Sequence, residues 1–259
     1  MDNRCEILSN RPVARDTYEM ELACPAIASQ AQPGSFVHIK VPENGALLMR
    51  RPISIHRIDR EHGRITLIIQ QKGEGTARIV QAAAGERLDV LGPLGNSFPL
   101  PDGARCCALV GGGIGCAPLY TMAQAYPEVK FDSYLGFRSQ AYVYAEEAFA
   151  RATSLRLATD DGSAGFHGRV TELLEEALKA GGYDAVYACG PTPMFKALAR
   201  VMEKYPQIHC YVSLEERMGC GIGGCAVCTC KILAQDGWHY RRVCKDGPVF
   251  GIREVAWDE

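Results

Sequence analysis

The sequence predicts a three-part chain: an antiparallel β-barrel over residues 1–100, a doubly wound parallel-sheet α/β domain over 101–213, and a small cysteine-held domain over 214–259. Three observations carry this reading. Short β-branched stretches separated by turn residues fill the first hundred positions. From Arg105, strand-length apolar runs alternate with amphipathic helix-length ones, the pattern of a parallel sheet with crossover helices. Four of the twelve cysteines then fall between Cys220 and Cys230, and a fifth follows at Cys244.

In the first part, Tyr18–Leu22, Phe36–Val41, Ile53–Ile58, Ile65–Gln70 and Leu88–Leu91 read as strands. Gln32-Pro33-Gly34, Glu43-Asn44-Gly45 and His62-Gly63 supply the turns between them. Strands at this spacing suit a barrel or sandwich. One short helix is expected after Gly75-Thr76, where Ala77, Ile79, Val80 and the alanines from Ala82 favour it. Pro99–Gly103, with two prolines and an Asp-Gly, reads as a linker.

The second part opens with a buried strand, Cys106–Val110, and a helix, Gly115–Tyr126. Strands follow at Lys130–Gly136, Leu155–Ala158, Ala185–Ala188 and His209–Leu214, and helices at Ala145–Ala152, Val170–Ala180 and Met194–Glu203. In Val170–Ala180, the residues Val170, Leu173, Leu174, Ala177 and Leu178 share one helical face. In the last part Trp238–Val243 supplies a hairpin strand. This segment is too small to fold on a core of its own, and a bound inorganic centre would supply what the core lacks.

Composition narrows the function classes. The 259 residues are 47% apolar and 22% charged, ordinary for a protein that buries a core, and the net charge of −2 implies no nucleic-acid partner. No apolar run approaches a membrane span, and the first residues show no signal-peptide core, so a cytoplasmic location is expected. In a reducing compartment the cysteines are expected as thiols for metal or redox chemistry rather than as disulfides.

The cysteine cluster is the strongest motif. Cys220, Cys225 and Cys228 have C-x4-C-x2-C spacing, with Cys244 a distant fourth, as in plant-type [2Fe–2S] proteins. Gly219, Gly221, Gly223 and Gly224 let backbone N–H groups approach the sulfurs closely. Zinc is the main rival, but a zinc ribbon shows two C-x2-C knuckles and only Cys225/Cys228 makes one. Cys230 is a fifth candidate, read as a packing residue.

Two further segments sit at strand ends. Gly111, Gly112, Gly113 and Gly115 open a helix after a buried strand, an arrangement that aims free N–H groups and a helix dipole at a pyrophosphate. The run is no strict G-x-G-x-x-G: Cys116 takes one closing position and Pro118 the other. Cys189, Gly190, Pro191 and Met194 form a second strand-to-helix turn about eighty residues on. Carboxyl ends of parallel strands are where such sheets bind ligands. A tight turn and a proline-rich turn are the plain alternatives. In the barrel, Arg51-Pro52-Ile53-Ser54 offers a guanidinium fork and a hydroxyl, and Lys72-Gly73-Glu74-Gly75-Thr76 a backbone anion site. His38 and His56 fall within strand patterns and read as packed residues.

These motifs in this order resemble the ferredoxin–NADP reductase superfamily. The segments Ser213–Cys225, Tyr240–Phe250, Gly136–Ser139 and Ala158–Ser163 resemble, more narrowly, the electron-transfer subunits of class 1B dihydroorotate dehydrogenases. The resemblance spans the whole chain. It implies FAD contacts at Arg51, Pro52, Ile53, Ser54, Ile68, Ile69, Gln70, Gly75 and Thr76, and a [2Fe–2S] cluster on Cys220, Cys225, Cys228 and Cys244. NAD falls to Gly111, Gly112, Gly113, Gly115, Cys189, Gly190, Pro191 and Met194. Residue chemistry leaves NADP open, since Asp132 precedes the strand end while Arg138 is nearer it. The implied partner is an FMN-containing dihydroorotate dehydrogenase catalytic subunit in a heterotetramer of two of each, and the implied setting is pyrimidine (UMP) biosynthesis. Two alternatives stand beside it: a reductase subunit serving another acceptor such as ferredoxin, and a redox-sensing regulatory binding protein.

Overall fold

In the computed structural model, which describes residues 4–42 and 47–257, six strands build the N-terminal part. They are β1 (Arg4–Ala14), β2 (Thr17–Ala23), β3 (Phe36–Ile39), β4 (Arg51–Asp59), β5 (Arg64–Gln70) and β6 (Arg87–Leu94). They close into a barrel in the order β1-β2-β5-β4-β3-β6, with every neighbouring pair antiparallel. Ile7, Met20, Leu22, Ile39, Ile55, Ile65, Leu67 and Ile69 fill its interior, drawn from alternate positions as the pleat requires. The predicted turn at Glu43-Asn44-Gly45 lies outside the described residues.

The barrel has one strand more than the sequence reading found. Only Cys5 and Ile7 of β1 are buried, so its apolar alternation is too short to register, yet its pairing with β6 closes the barrel. The helix after Gly75 is also shorter than expected. It spans α2 (Glu74–Gln81; α1 is the single turn-and-a-half Pro25–Gln30), and the alanines from Ala82 lie outside it. Asn10 Nδ2 of β1 donates to the carbonyls of Val80 and Ala82, drawing the chain out of the helix toward β6. A third correction concerns thiols. Cys5 stands opposite Cys24 one step beyond the Glu6–Ala23 ladder pair, and the two are joined in a disulfide with Cα atoms 5.2 Å apart; the other ten cysteines are free.

The second part is a seven-stranded sheet made from β7 (Cys106–Gly112), β8 (Lys130–Phe137), β9 (Ser154–Thr159), β10 (Phe166–His167), β11 (Ala185–Cys189), β12 (His209–Ser213) and β15 (Val249–Gly251). Its order is β10-β9-β8-β7-β11-β12-β15, parallel except for the edge strand β15. The chain runs outward from β7 to β10, then returns to place β11 on the other side of β7. That reversal is a topological switch point, the place where such sheets open a crevice for ligands. The helices α3 (Cys116–Ala125), α4 (Glu146–Ala152), α5 (Val170–Lys179) and α6 (Thr192–Met202) cover the faces. On α5 the predicted stripe is the inward face, with Val170, Leu173, Leu174 and Leu178 buried and Ala177 packed beside them.

Barrel and sheet are locked together through α3. Gln124 treats Ile58 of β4 as a strand would: it accepts from the Ile58 N–H at 3.0 Å and donates to its carbonyl at 2.7 Å. His56 Nδ1–H donates to Ala117 O at 2.9 Å from a fully buried ring tilted against Tyr120. Burial lowers its pKa to about 4, so it is a neutral packing residue. The C-terminal segment has no separate core. Its hairpin, β13 (Thr229–Ala234) and β14 (Gly237–Arg242), exposes most of its surface. Cys228, Val243, Cys244, Phe250, Ile252 and Val255 join the apolar cluster beneath α5 and α6. Asn96, just past β6, clamps Val249 by accepting from its N–H and donating to its carbonyl, each at 2.9 Å. Among the described residues no helix is long and apolar enough to cross a membrane.

Candidate functional site

A cleft of about 910 Å³ lies between the barrel and the carboxyl ends of the sheet strands. Gln70, Gly112, Gly113, Gly115, Gly190, Pro191 and Met194 line it, all singled out by the sequence. At its floor the two strand-to-helix turns meet, because β7 and β11 pair Gly111 with Cys189. The glycines serve different ends. A Cβ on Gly115 would stand 2.4 Å from the Cys189 carbonyl oxygen and 2.6 Å from the Gly190 nitrogen, although its φ of −64° suits any residue. Gly112 faces Met194 Sδ and Pro191 in the same way, whereas Gly113 has open space but a φ of +55°. The turn runs directly into the N-terminus of α3, whose dipole favours an anion there.

Gly111 and Cys189 lie below the cleft floor, buried, and burial pushes the Cys189 thiol up. Cys116 fills the space over Gly111 and is likewise a buried, protonated thiol. Sequence reasoning missed Tyr144. Its hydroxyl donates to the Gly113 and Ile114 carbonyls, at 3.1 and 3.0 Å, and so holds the turn open. No local pattern marks it, since it reaches the turn from thirty residues on. Glu215 also lines the cleft. Its carboxyl is raised above the ordinary range by the protein around it, with Lys72 pulling the other way. Asp132 is committed elsewhere, accepting from Tyr183 Oη at 2.6 Å, while Arg138 lines the cleft.

On the barrel side, Arg51–Ser54 begins β4 and pairs with β3. The Arg51 guanidinium lies across Gly75, where a Cβ would come within 2.4 Å of Nε. Thr76 Oγ1 accepts from the Lys72 N–H at 3.0 Å, holding the loop that opens α2. This cradle of guanidinium, glycine and helix start suits a phosphate-bearing cofactor. The side chains of Ile53, Ile68 and Ile69 are spent in the core, so any contact from Ile68 or Ile69 is through the main chain. Gly75→Ala is expected to push Arg51 aside and weaken flavin retention about 10-fold, a cost of about 1.4 kcal/mol. Flavin release during dilution, followed by fluorescence, measures it.

Cys220, Cys225 and Cys228 lie on the loop before β13, and the β13–β14 hairpin returns the chain so that Cys244 meets Cys228. Gly224 N–H donates to Cys220 Sγ at 3.2 Å, and Cys244 N–H to Cys228 Sγ at 3.4 Å. The N–H groups of Ile222, Cys225 and Gly224 hold the Cys220 thiol down to about 6. Burial and the neighbouring Cys228 push Cys244 up to about 12, a proton that iron binding would release. The thiols approach in pairs, and among the described residues no three His, Cys, Asp or Glu side chains are drawn tightly enough to hold an ion. The fit to a cluster rests on N–H groups aimed at sulfur and on close backbone approach at Gly219, where a Cβ would lie 3.0 Å from Cys225 Sγ. Arg242 braces the loop, donating to Gly223 O at 2.9 Å and to both oxygens of Asp246, whose carboxyl it holds down to about 2. Cys230 is half-buried at the edge of the apolar cluster beneath α5 and α6, and burial raises its thiol to about 11.

Comparison with known proteins agrees with this geometry. Residues 4–98 match the oxidoreductase FAD-binding domain, and residues 215–256 the iron–sulfur cluster binding domain of dihydroorotate dehydrogenase B. The electron transfer subunits of dihydroorotate dehydrogenase B (NAD(+)) from Bacillus caldolyticus and Geobacillus kaustophilus are each 46% identical over 98% of both chains. Among solved structures, the NADH-dependent reduced ferredoxin-NADP oxidoreductase superimposes with a TM-score of 0.87 at 30% identity, covering 98% of this chain and 90% of that one. Phthalate dioxygenase reductase, at 21% identity and a TM-score of 0.66 over 93% of this chain and 77% of its own, shares the fold. A FAD-binding barrel, a doubly wound sheet and an iron–sulfur domain in one chain define a flavin- and iron–sulfur-dependent oxidoreductase of the ferredoxin reductase type. Within that class, the chain belongs to the family of electron transfer subunits of dihydroorotate dehydrogenase B.

Proposed function

We propose that this chain carries electrons between a dihydroorotate dehydrogenase catalytic subunit and NAD⁺, in the cytoplasm, in pyrimidine biosynthesis. The partner is FMN-containing, in an assembly of two of each subunit. Cys220, Cys225, Cys228 and Cys244 hold the [2Fe–2S] cluster. Arg51, Pro52, Ser54, Gly75 and Thr76, with the main chain of Ile68–Gln70 and packing from Ile53, hold FAD. Gly111–Gly115 and Cys189–Met194 receive NAD, and the three parts correspond to residues 1–100, 101–213 and 214–259.

The observation that supports this reading is that the nucleotide cleft and the cysteine loop adjoin the same barrel, each beside a segment assigned to the flavin. Gln70 and Lys72 border the cleft, while the cysteine loop packs against β3, the strand paired with Arg51–Ser54. A bound flavin exchanges two electrons with a nicotinamide and one with an iron–sulfur cluster, so it belongs between them. The chain's residues fix that order. Gly112, Gly115 and Gly190 bring the nucleotide to the cleft floor, Tyr144 holds the turn, and Arg242 braces the cluster loop. Exposed Leu48, Met49, Ile222 and Val227 surround the loop with apolar surface, which suits a docked subunit.

Co-expression with an FMN-containing dihydroorotate dehydrogenase subunit tests the proposal. Dihydroorotate-dependent NAD⁺ reduction is expected only when both chains are present, and the isolated chain is expected to reduce dyes with NADH but leave dihydroorotate untouched. Dihydroorotate turnover by the isolated chain would contradict it. The likeness to the ferredoxin-NADP oxidoreductase chain favours a second reading, in which the acceptor is a carrier such as ferredoxin. Dye activity without dihydroorotate turnover in the co-expressed pair would move the assignment there.

A further inference from the structure

His38 sits on β3 between Pro52 of the flavin segment on one side and Leu91 of β6 on the other. Its ring is fully buried, and neither nitrogen has a hydrogen-bond partner. A buried imidazole without partners is unfavourable, since even a neutral ring carries one N–H donor and one acceptor. Leucine or phenylalanine would fill the space without that penalty, so packing alone does not account for the residue. The ring faces the cysteine loop. A Cβ on Gly221 would come within 2.5 Å of His38 Nδ1, and Gly221 also has a φ of +74°. Main-chain groups of Arg50 and Cys220 border the ring, short of hydrogen-bond geometry. The strand beneath is held firm, because Arg50 Nη1 donates to the carbonyls of His38 and Asp89 at 3.2 and 3.0 Å.

From this juxtaposition we infer that His38 is a positioning residue for the cluster loop, its ring seating the Cys220–Gly221 main chain on the barrel beside the flavin strand. The inference rests on the flavin and cluster assignments above. Gly221 is the matching half of the contact: without a Cβ it lets the loop lie flat on the ring. The ring thereby sets where the Cys220 thiolate stands relative to Arg51–Ser54, with no part in the electron transfer itself.

The test uses the full chain, purified anaerobically with its flavin and cluster. His38→Leu, His38→Gln, Gly221→Ala and the double variant His38→Ala/Gly221→Ala are compared with wild type. The readouts are the electron paramagnetic resonance spectrum of the reduced cluster, its midpoint potential and iron release to a chelator, with flavin content and thermal midpoint alongside. His38→Leu is expected to keep flavin content, hold the thermal midpoint at or above that of wild type, shift the spectrum and potential, and release iron about 10-fold faster. His38→Gln, which restores a donor and an acceptor, is expected to recover part of the effect. Gly221→Ala presses on the same ring from the loop side and is expected to speed release when introduced alone, less so when His38 is also shortened.

Unchanged spectrum, potential and release in His38→Leu would overturn the proposal and leave the ring a packing residue. So would a parallel loss of flavin, thermal midpoint and iron, because that marks general destabilisation. If the wild-type chain itself gives no reduced-cluster spectrum, the cluster assignment fails first and this proposal with it.

Discussion

Cys244→Ala is expected to abolish the reduced-cluster spectrum and to cut dihydroorotate-dependent NAD⁺ reduction by the assembled complex about 100-fold or more. NADH should still bleach the flavin in the same variant, because Cys244 lines neither the nucleotide cleft nor the Arg51–Gly75 cradle. The control is Cys230→Ala. Both cysteines touch the same apolar cluster, Cys244 inside it and Cys230 at its edge, so each substitution removes one sulfur from the same packing. Only Cys244 has its main chain tied to Cys228 Sγ, on a turn braced by Arg242 and Asp246. Iron and sulfide content with the spectrum decides between them. A cluster retained in Cys244→Ala and lost in Cys230→Ala would make Cys230 the fourth ligand.

Gly115→Ala should raise the KM for NAD(H) about 100-fold, with flavin and iron content unchanged. The added methyl meets the Cys189 carbonyl carbon at 2.5 Å and the Gly190 nitrogen at 2.6 Å, and backbone cannot swing aside as a side chain can. Overpacking of this kind costs roughly 3 kcal/mol, which is about two decades in affinity. The strain falls on the two turns that form the cleft floor. Gly113→Ala is the comparison, for it meets no atom and must only accept a φ of +55°, a cost of about 1–2 kcal/mol. Steady-state NADH oxidation with a dye measures both. Equal, small effects would mean that the two turns do not grip the nucleotide.

Much of this was legible in the sequence because the signals are local. The C-x4-C-x2-C spacing, the Gly-rich turn after a buried strand and the 3.6-residue stripe on α5 each lie within about a dozen residues, where spacing translates directly into geometry. The order of motifs along the chain was enough to assign three parts and their cofactors. Where the reading failed, a distant partner decided. β1 carries two buried side chains but closes the barrel because β6 is waiting for it, and the alanines after Gln81 leave the helix because Asn10 captures Val80 and Ala82.

Local patterning along the chain already contained the alternating strands of the barrel, the parallel-sheet rhythm, the glycines at the turns and the set of cysteines available to a cluster. Tertiary structure alone decided that Cys5 meets Cys24, that Tyr144 holds the Gly-rich turn, and that Gly115 must be glycine for space rather than for φ. It also decided that His38 faces Gly221, joining barrel to cysteine loop across more than 180 residues of chain. The reason is physical: propensity and periodicity act over a few residues, whereas close backbone approach and buried polar contacts exist only after remote segments have packed.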